Sequence, residues 1–341
     1  MVRSDFITEV RGYIINPTEH RLRAPWRVTV WLFASGFVAI VLALLFSLIP
    51  APRDEGSVAT ALYILLEQGW TFAVLLIAGL GVGYLLDRRT LADYGLKRDR
   101  QWWRDTAFGL VLGAALPTLI LGLQLAAGLA AVTGVLATTD GGLFPTGSIG
   151  AVGRLLLLVP FFVVQATSEE VLFRSYLLTN AAEGVAGILG RTRAVAVAVL
   201  VTGVLFGVVH GSNPGATGLA VLNVMLYGFF LGACYAVTGR LGVAAGFHVA
   251  WNYALAVLGF PVSGLTTGVS LLNLAVTGDP LVTGGSFGPE GGLLALLSLV
   301  LAVIALYWWV RREYGAVELL DDIATPELRI RTRADTANQD G

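Results

Sequence analysis

Residues 165–175 read Gln165-Ala166-Thr167-Ser168-Glu169-Glu170-Val171-Leu172-Phe173-Arg174-Ser175, inside an apolar run from near Ala151 to near Ala181. Such a run is long enough to cross a bilayer, which takes about 20 apolar residues. Two adjacent carboxylates and a guanidinium within it are costly to bury. Hydrophobic isosteres would serve stability better, so the trio points to function. At helical pitch Glu170 and Arg174 are i, i+4 and can pair, whereas Glu169 points about 100° away. One carboxylate is then neutralised by the arginine and the other is free for chemistry or coordination. The plainer alternative is a charged cluster at a cytoplasmic helix end.

The rest of the chain has the same solvent. Of 341 residues, 56% are hydrophobic and 13% charged, about half the ~25% charged that a soluble domain carries. This is the composition of a polytopic membrane protein. A net charge of −1 suggests no nucleic-acid partner. Cys234, the only cysteine, lies in an apolar run and reads as a packing residue. No secretory signal is visible, because the first 25 residues are polar and basic and the apolar run after them is too long.

Eight spans follow from the hydropathy: Val28–Ile49, Leu62–Leu86, Thr106–Gly128, Ala151–Ala181, Ala194–His210, Thr217–Val237, Leu241–Phe260 and Gly291–Val310. Of 22 lysines and arginines, 19 fall in the two tails and in alternate connections, leaving Arg53, Arg154 and Arg174 elsewhere. Positive charge marks the cytoplasmic side. The expectation is an all-α bundle of about eight transmembrane helices, multi-pass in the cell membrane, with both termini cytoplasmic. Residues 1–27 form a cytoplasmic tail, residues 28–310 the membrane domain with its intramembrane polar residues gathered near 150–260, and residues 311–341 a cytoplasmic, disordered tail. Phe6, Val10 and Tyr13 share a face in the first tail, so a surface helix with Trp26 as anchor competes there with a plain tail. Glu67 stands near the outer end of the second span and is expected to take no catalytic role. Leu129–Gly150 is Gly/Thr-rich with one charge, Asp140, and Pro261–Glu290 is long, nearly uncharged and able to fold back on the bundle.

Two later spans carry the remaining polar groups. Thr202, Phe206 and His210 share one helical face, and His248 and Asn252 are i, i+4 with Trp251 beside them. A lone membrane histidine is often a satisfied interhelical hydrogen bond. Two histidines, an asparagine, two glutamates and an arginine on three spans form a constellation. Hydrolysing a peptide bond needs a base to activate water and donors for the developing oxyanion. A carboxylate with a histidine supplies the first; a second histidine with an amide supplies the second. The same residues could hold zinc, although no His-Glu-x-x-His occurs and the ligands would come from three separate spans.

The chain resembles the CPBP intramembrane proteases (CAAX proteases and bacteriocin-processing proteins), also called the Abi family, which includes CAAX prenyl protease 2. Their pattern is matched by Glu169-Glu170-x-x-x-Arg174, Phe206-x-x-x-His210 and His248-x-x-x-Asn252, over roughly residues 150–260. The resemblance implies that Glu169 and His210 bind and activate the water. His248 and Asn252 would stabilise the oxyanion, and Glu170 and Arg174 would orient the first glutamate. It implies membrane lipid and a membrane-associated protein or peptide substrate as partners. It favours no cofactor; a zinc-dependent version would use Glu169, His210 and His248. Two other classes compete: an ion- or proton-coupled transporter, against which the lack of an internal repeat and the clustering of polar residues in spans four to seven argue, and a catalytically silent immunity protein on the same fold.

One tension follows from helix rise. At about 1.5 Å per residue, His248 lies roughly 12 Å and Glu169 roughly 18 Å from the cytoplasmic ends of their spans, both shallower than His210 at roughly 24 Å. Straight full-length helices would keep them apart. A tilted or short fifth span, or a turn at Gly211–Gly215 that dips into the bundle, would bring them together, and the dipped turn is preferred.

Overall fold

The computed structural model describes residues 12–17, 19–50, 52, 57–139, 141–144 and 149–329. Phe6, Val10, Arg53 and Asp140 lie outside them. Among the described residues seven helices are long and apolar enough to cross a membrane: α1 Ala24–Phe46, α2 Val58–Asp87, α3 Arg100–Ala126, α4 Ala151–Leu189, α5 Arg191–His210, α6 Gly218–Thr238 and α8 Leu293–Tyr314. The eighth, α7 Gly242–Leu258, is shorter and is mostly buried in the bundle. The protein is a polytopic helical membrane protein.

Local chemistry sets several of the ends. Ser57, Asp99 and Thr217 accept hydrogen bonds from the backbone N–H groups of Thr60, Trp102 and Ala220, capping α2, α3 and α6. Asp99 also takes two hydrogen bonds from Arg240, at 2.6 and 2.9 Å. Those bonds, with the Trp102 N–H, hold its carboxyl down to about 2, so the cap stays charged near neutral pH. Gly239 and Gly259 end α6 and α7 in the left-handed conformation that glycine accepts freely.

The helix that carries His248 is fixed by close approach to α3. A Cβ on Gly109 or Gly113 would collide with the carbonyl oxygens of Val243 and Phe247, and one on Gly246 with that of Thr106. Small residues four apart on both helices let the backbones meet, a device suited to a bilayer, where apolar burial gives little drive for association. Gly113→Val is expected to force the helices apart, at a cost of about 1–3 kcal/mol or more. The expected result is a loss of monodisperse protein on size exclusion in detergent.

The outcome differs from the all-helical expectation in the connections. The segment after α3 forms a strand, β3 Ala130–Thr138, paired antiparallel with β4 Val269–Val276, from Ala130 opposite Val276 to Thr138 opposite Val269. Each strand supplies the hydrogen bonds the other would lack. The Pro261–Glu290 connection does fold back on the bundle, as part of this sheet. A small hairpin of β1 Ile15–Asn16 and β2 Arg21–Leu22 precedes α1.

The tails also pack. Arg27 is paired with Asp87 and Glu183, Arg21 with Glu183, and Arg89 with Asp93 and Glu183. Asn180 joins them by donating to Asp87 at 2.9 Å. At the other terminus Leu320 N–H donates to Ala236 O, Arg329 N–H donates to Arg88 O, and Ile323 and Ala324 are buried. The stretch expected to be disordered after α8 is therefore docked on the bundle through residue 329.

The charge cluster also resolves the tension in depth. The fourth span does not stop near Ala181 but continues to Leu189, and three arginines neutralise Glu183 in the added turns. Glu169 and His210 then lie nearly equal numbers of residues from the turn at Gly190, roughly 30 Å along either helix. Ser175 Oγ donates to Tyr94 O, and Leu241 N–H donates to Gly95 O. The start of α7 is thus tied to Ser175 rather than to the end of α4, and Glu169 and His248 stand about equally far above that tie. No dipped turn is needed: Gly211, Ser212, Pro214 and Gly215 are exposed.

Candidate active site

α4 presents Gln165 and Glu169 one turn apart, with Glu170 and Arg174 on the adjoining face. Immediately after the glutamates the helix widens into π geometry over Val171–Leu178, a distortion found often at functional sites. Glu170 is fully buried. Its Oε1 accepts from Arg174 Nη1 at 3.0 Å and from His248 Nδ1–H at 2.8 Å. Arg174 also donates to Gly228 O at 3.2 Å and lies 4.4 Å over the Phe206 ring. That ring meets His248 edge-on at 5.9 Å. Phe206 therefore supports a cation and an imidazole at once, which gives the aromatic four residues before His210 a physical role.

Glu169 sits in front of this group. One of its oxygens accepts from Gln165 Nε2. The other, Oε2, faces His248 Nε2 across 3.8 Å, beyond direct hydrogen-bond reach. His210 donates its Nδ1–H to Phe206 O at 2.7 Å, a tautomer fixed by the acceptor, which leaves Nε2 with its lone pair. Asn252 Nδ2 donates to Gln165 Oε1 at 2.9 Å. Glu169, His210, His248, Asn252 and Gln165 all line one cavity of about 290 Å³. Glu170 and Arg174 stand behind it, and their contacts run to His248.

Two residues given no role by the sequence reading hold this arrangement. Gln165 bridges the Glu169 carboxylate and the Asn252 amide; its signal was visible, a second polar group four residues before Glu169 in an apolar run. In the sequence Glu290 is only the end of a connection. Its Oε1 accepts from Trp251 Nε1 at 3.0 Å, and its Oε2 from the Ser263 backbone N–H at 2.6 Å and hydroxyl at 2.9 Å. Ser263 O in turn accepts from Asn213 Nδ2 at 2.9 Å. Glu290 thus ties the returning connection to α7 beside Asn252 and to the turn that follows His210. No local pattern announces it, since its partners are distant in sequence. Glu67 is exposed, and its neighbour Gln68 lines the cavity instead.

Among the described residues no three His, Cys, Asp or Glu side chains converge as a metal site. Glu169, His210 and His248 as placed therefore do not fit a three-ligand zinc centre, and no chemical step is routed through a metal below.

A family model described as type II CAAX prenyl endopeptidase Rce1-like matches residues 151–254. Over that stretch, which runs from α4 into α7, the chain is similar to the CAAX proteases. The matched stretch opens at the first residue of α4 and closes two residues after Asn252, so it contains all three motifs together with Gln165. No curated protein matches the chain. That similarity and the seven long apolar helices support a multi-pass membrane protein.

Proposed function

We propose that this protein is a CAAX-type intramembrane protease that hydrolyses a peptide bond in a membrane-associated protein or peptide. In this reading Glu169 and His210 activate the water, and His248 and Asn252 hold the oxyanion. The observation that carries it is the convergence of the four groups, from three helices, on one cavity. Glu169 Oε2 and the His210 Nε2 lone pair are the two bases there. A water between them gives up a proton as its oxygen bonds to the scissile carbonyl carbon. The carbonyl oxygen becomes the oxyanion and accepts hydrogen bonds from His248 Nε2–H and Asn252 Nδ2–H. Collapse re-forms the carbonyl, the C–N bond breaks, and the proton held by the base passes to the departing amine.

Charge balance supports the donor role of His248. Two carboxylates and one guanidinium leave a single negative charge in the cluster, which an imidazolium between Glu169 and Glu170 would balance. Both ring nitrogens are then donors, one held by Glu170 and the other presented to the cavity. Glu170 and Arg174 act as positioning residues, Glu170 through His248 and Arg174 through Glu170 and Phe206.

Prolonged chelation is expected to leave cleavage by the purified protein unchanged, with well under one zinc bound per chain. Loss of activity on chelation, restored by stoichiometric zinc, together with loss of the metal in His248→Ala, would overturn the metal-free mechanism.

A further inference from the structure

The two ends of the bundle differ in charge, and the cavity belongs to one of them. Arg21, Arg27, Arg89 and Arg240 gather with Asp87, Asp93, Asp99 and Glu183 at the end bearing the turns at Gly190 and Gly239. At the opposite end lie the turn after His210, the β3–β4 sheet and the connection back to α8. Arg154 is the basic residue among the described residues of that end, and it is buried, donating to the carbonyls of Phe144 and Gly268.

The cavity is lined from this second end. Leu143 comes from the segment after β3, Asn213 from the turn after His210, and Val262, Ser263 and Leu265 from the connection after α7. None of its lining residues comes from the Arg-bearing connections at 87–99, 190 or 239–241. Val209 and Leu265, also in its lining, are 53% and 43% exposed, so the cavity reaches the surface there. Toward the Arg-bearing end the way is filled by Glu170, Arg174, Ser175 and Tyr176, each at most 1% exposed.

We propose that the cavity opens on the non-cytoplasmic side, and that its substrate is a protein or peptide whose membrane-proximal segment lies on that side. The proposal rests on the protease reading of the site. Its sidedness follows from the positive-inside rule, which places the Arg-bearing end in the cytoplasm. A cytoplasmic C-terminal tail would meet the end closed by the charge cluster and would be separated from Glu169 by the packed interior. A segment leaving the membrane on the other side meets Val209 and Leu265 first and has Glu169 and His210 directly below. The apolar character of those two rim residues suits the flank of a membrane span rather than a free polar peptide.

The test reads sidedness without needing activity. Cys234 is fully buried, so the natural chain serves as the unlabelled background. Leu265→Cys and, independently, Val209→Cys are made in it, with Lys97→Cys marking the other end. Intact cells are treated with a charged, membrane-impermeant maleimide before and after permeabilisation. The two rim cysteines are expected to label fully in intact cells with no gain on permeabilisation, and Lys97→Cys only after it. Rim labelling confined to permeabilised cells, or absent in both rim variants, overturns the proposal. In a second arm one peptide sequence is fused either to the outer flank of a membrane span or to a cytoplasmic tail, and only the former is expected to be cut. Cleavage of the tail alone overturns the substrate class. Cleavage of neither fusion, with the rim labelled from outside, removes the protease reading and with it the substrate, while the sidedness of the cavity stands.

Discussion

Glu169→Gln is expected to remove peptide hydrolysis, lowering the rate by about 10²–10⁴, the usual worth of a positioned base, while the protein remains folded. The amide keeps the shape and can still meet Gln165, so packing is preserved. What disappears is the proton acceptor at Oε2, the oxygen that faces His248 across the cavity. Glu170→Gln should behave differently. Its carboxylate is fully buried behind the cavity and touches His248 rather than the reacting water, so a reduced rate should remain. Rates are to be compared at equal amounts of monodisperse protein. Equal loss in both variants would show that the pair works as one unit and that the division of labour drawn here is wrong.

Arg174→Met is expected to cause a large loss of stability. The guanidinium is 1% exposed and is the cation bonded to Glu170. Its removal leaves two carboxylates sharing the His248 imidazolium, one buried negative charge in excess, a defect of the kind that costs about 3–5 kcal/mol. Methionine keeps most of the volume and still packs on Phe206, which isolates the charge effect. The double variant Glu170→Gln with Arg174→Met should recover much of the loss, because no unpaired charge then remains. Denaturation midpoints in one detergent, measured as a double-mutant cycle, check this. A double variant no more stable than Arg174→Met would show that the arginine acts through Phe206 and Gly228 rather than through Glu170.

The bundle and the three motifs were legible because each rests on a local rule. Span length and the scarcity of charge gave eight helices, and i, i+4 spacing placed Glu170 with Arg174 and His248 with Asn252. What stayed hidden depends on partners far away in sequence. The end of α4 was placed near Ala181 because Glu183 reads as a polar link; only Arg21, Arg27 and Arg89, from two other segments, make it a buried helical residue. That one displacement produced the apparent mismatch in depth between Glu169 and His210. The β3–β4 sheet was hidden for the same reason. Ala130–Thr138 and Val269–Val276 are short, Gly- and Thr-flanked segments in connections 140 residues apart, and pairing at that separation leaves no periodic trace strong enough to read. Glu290 is a third instance, since its role lies wholly in reaching Trp251 and Ser263.

The central claim is that the cavity shared by Glu169, His210, His248 and Asn252 cuts peptide bonds, and reconstitution measures it most directly. The natural chain and Glu169→Gln are purified, inserted into lipid vesicles and incubated with a set of membrane-tethered peptides, with products identified by mass. The account predicts new termini with the natural chain, at a rate proportional to protein, and their loss with Glu169→Gln. Cleavage that persists undiminished in Glu169→Gln would contradict it.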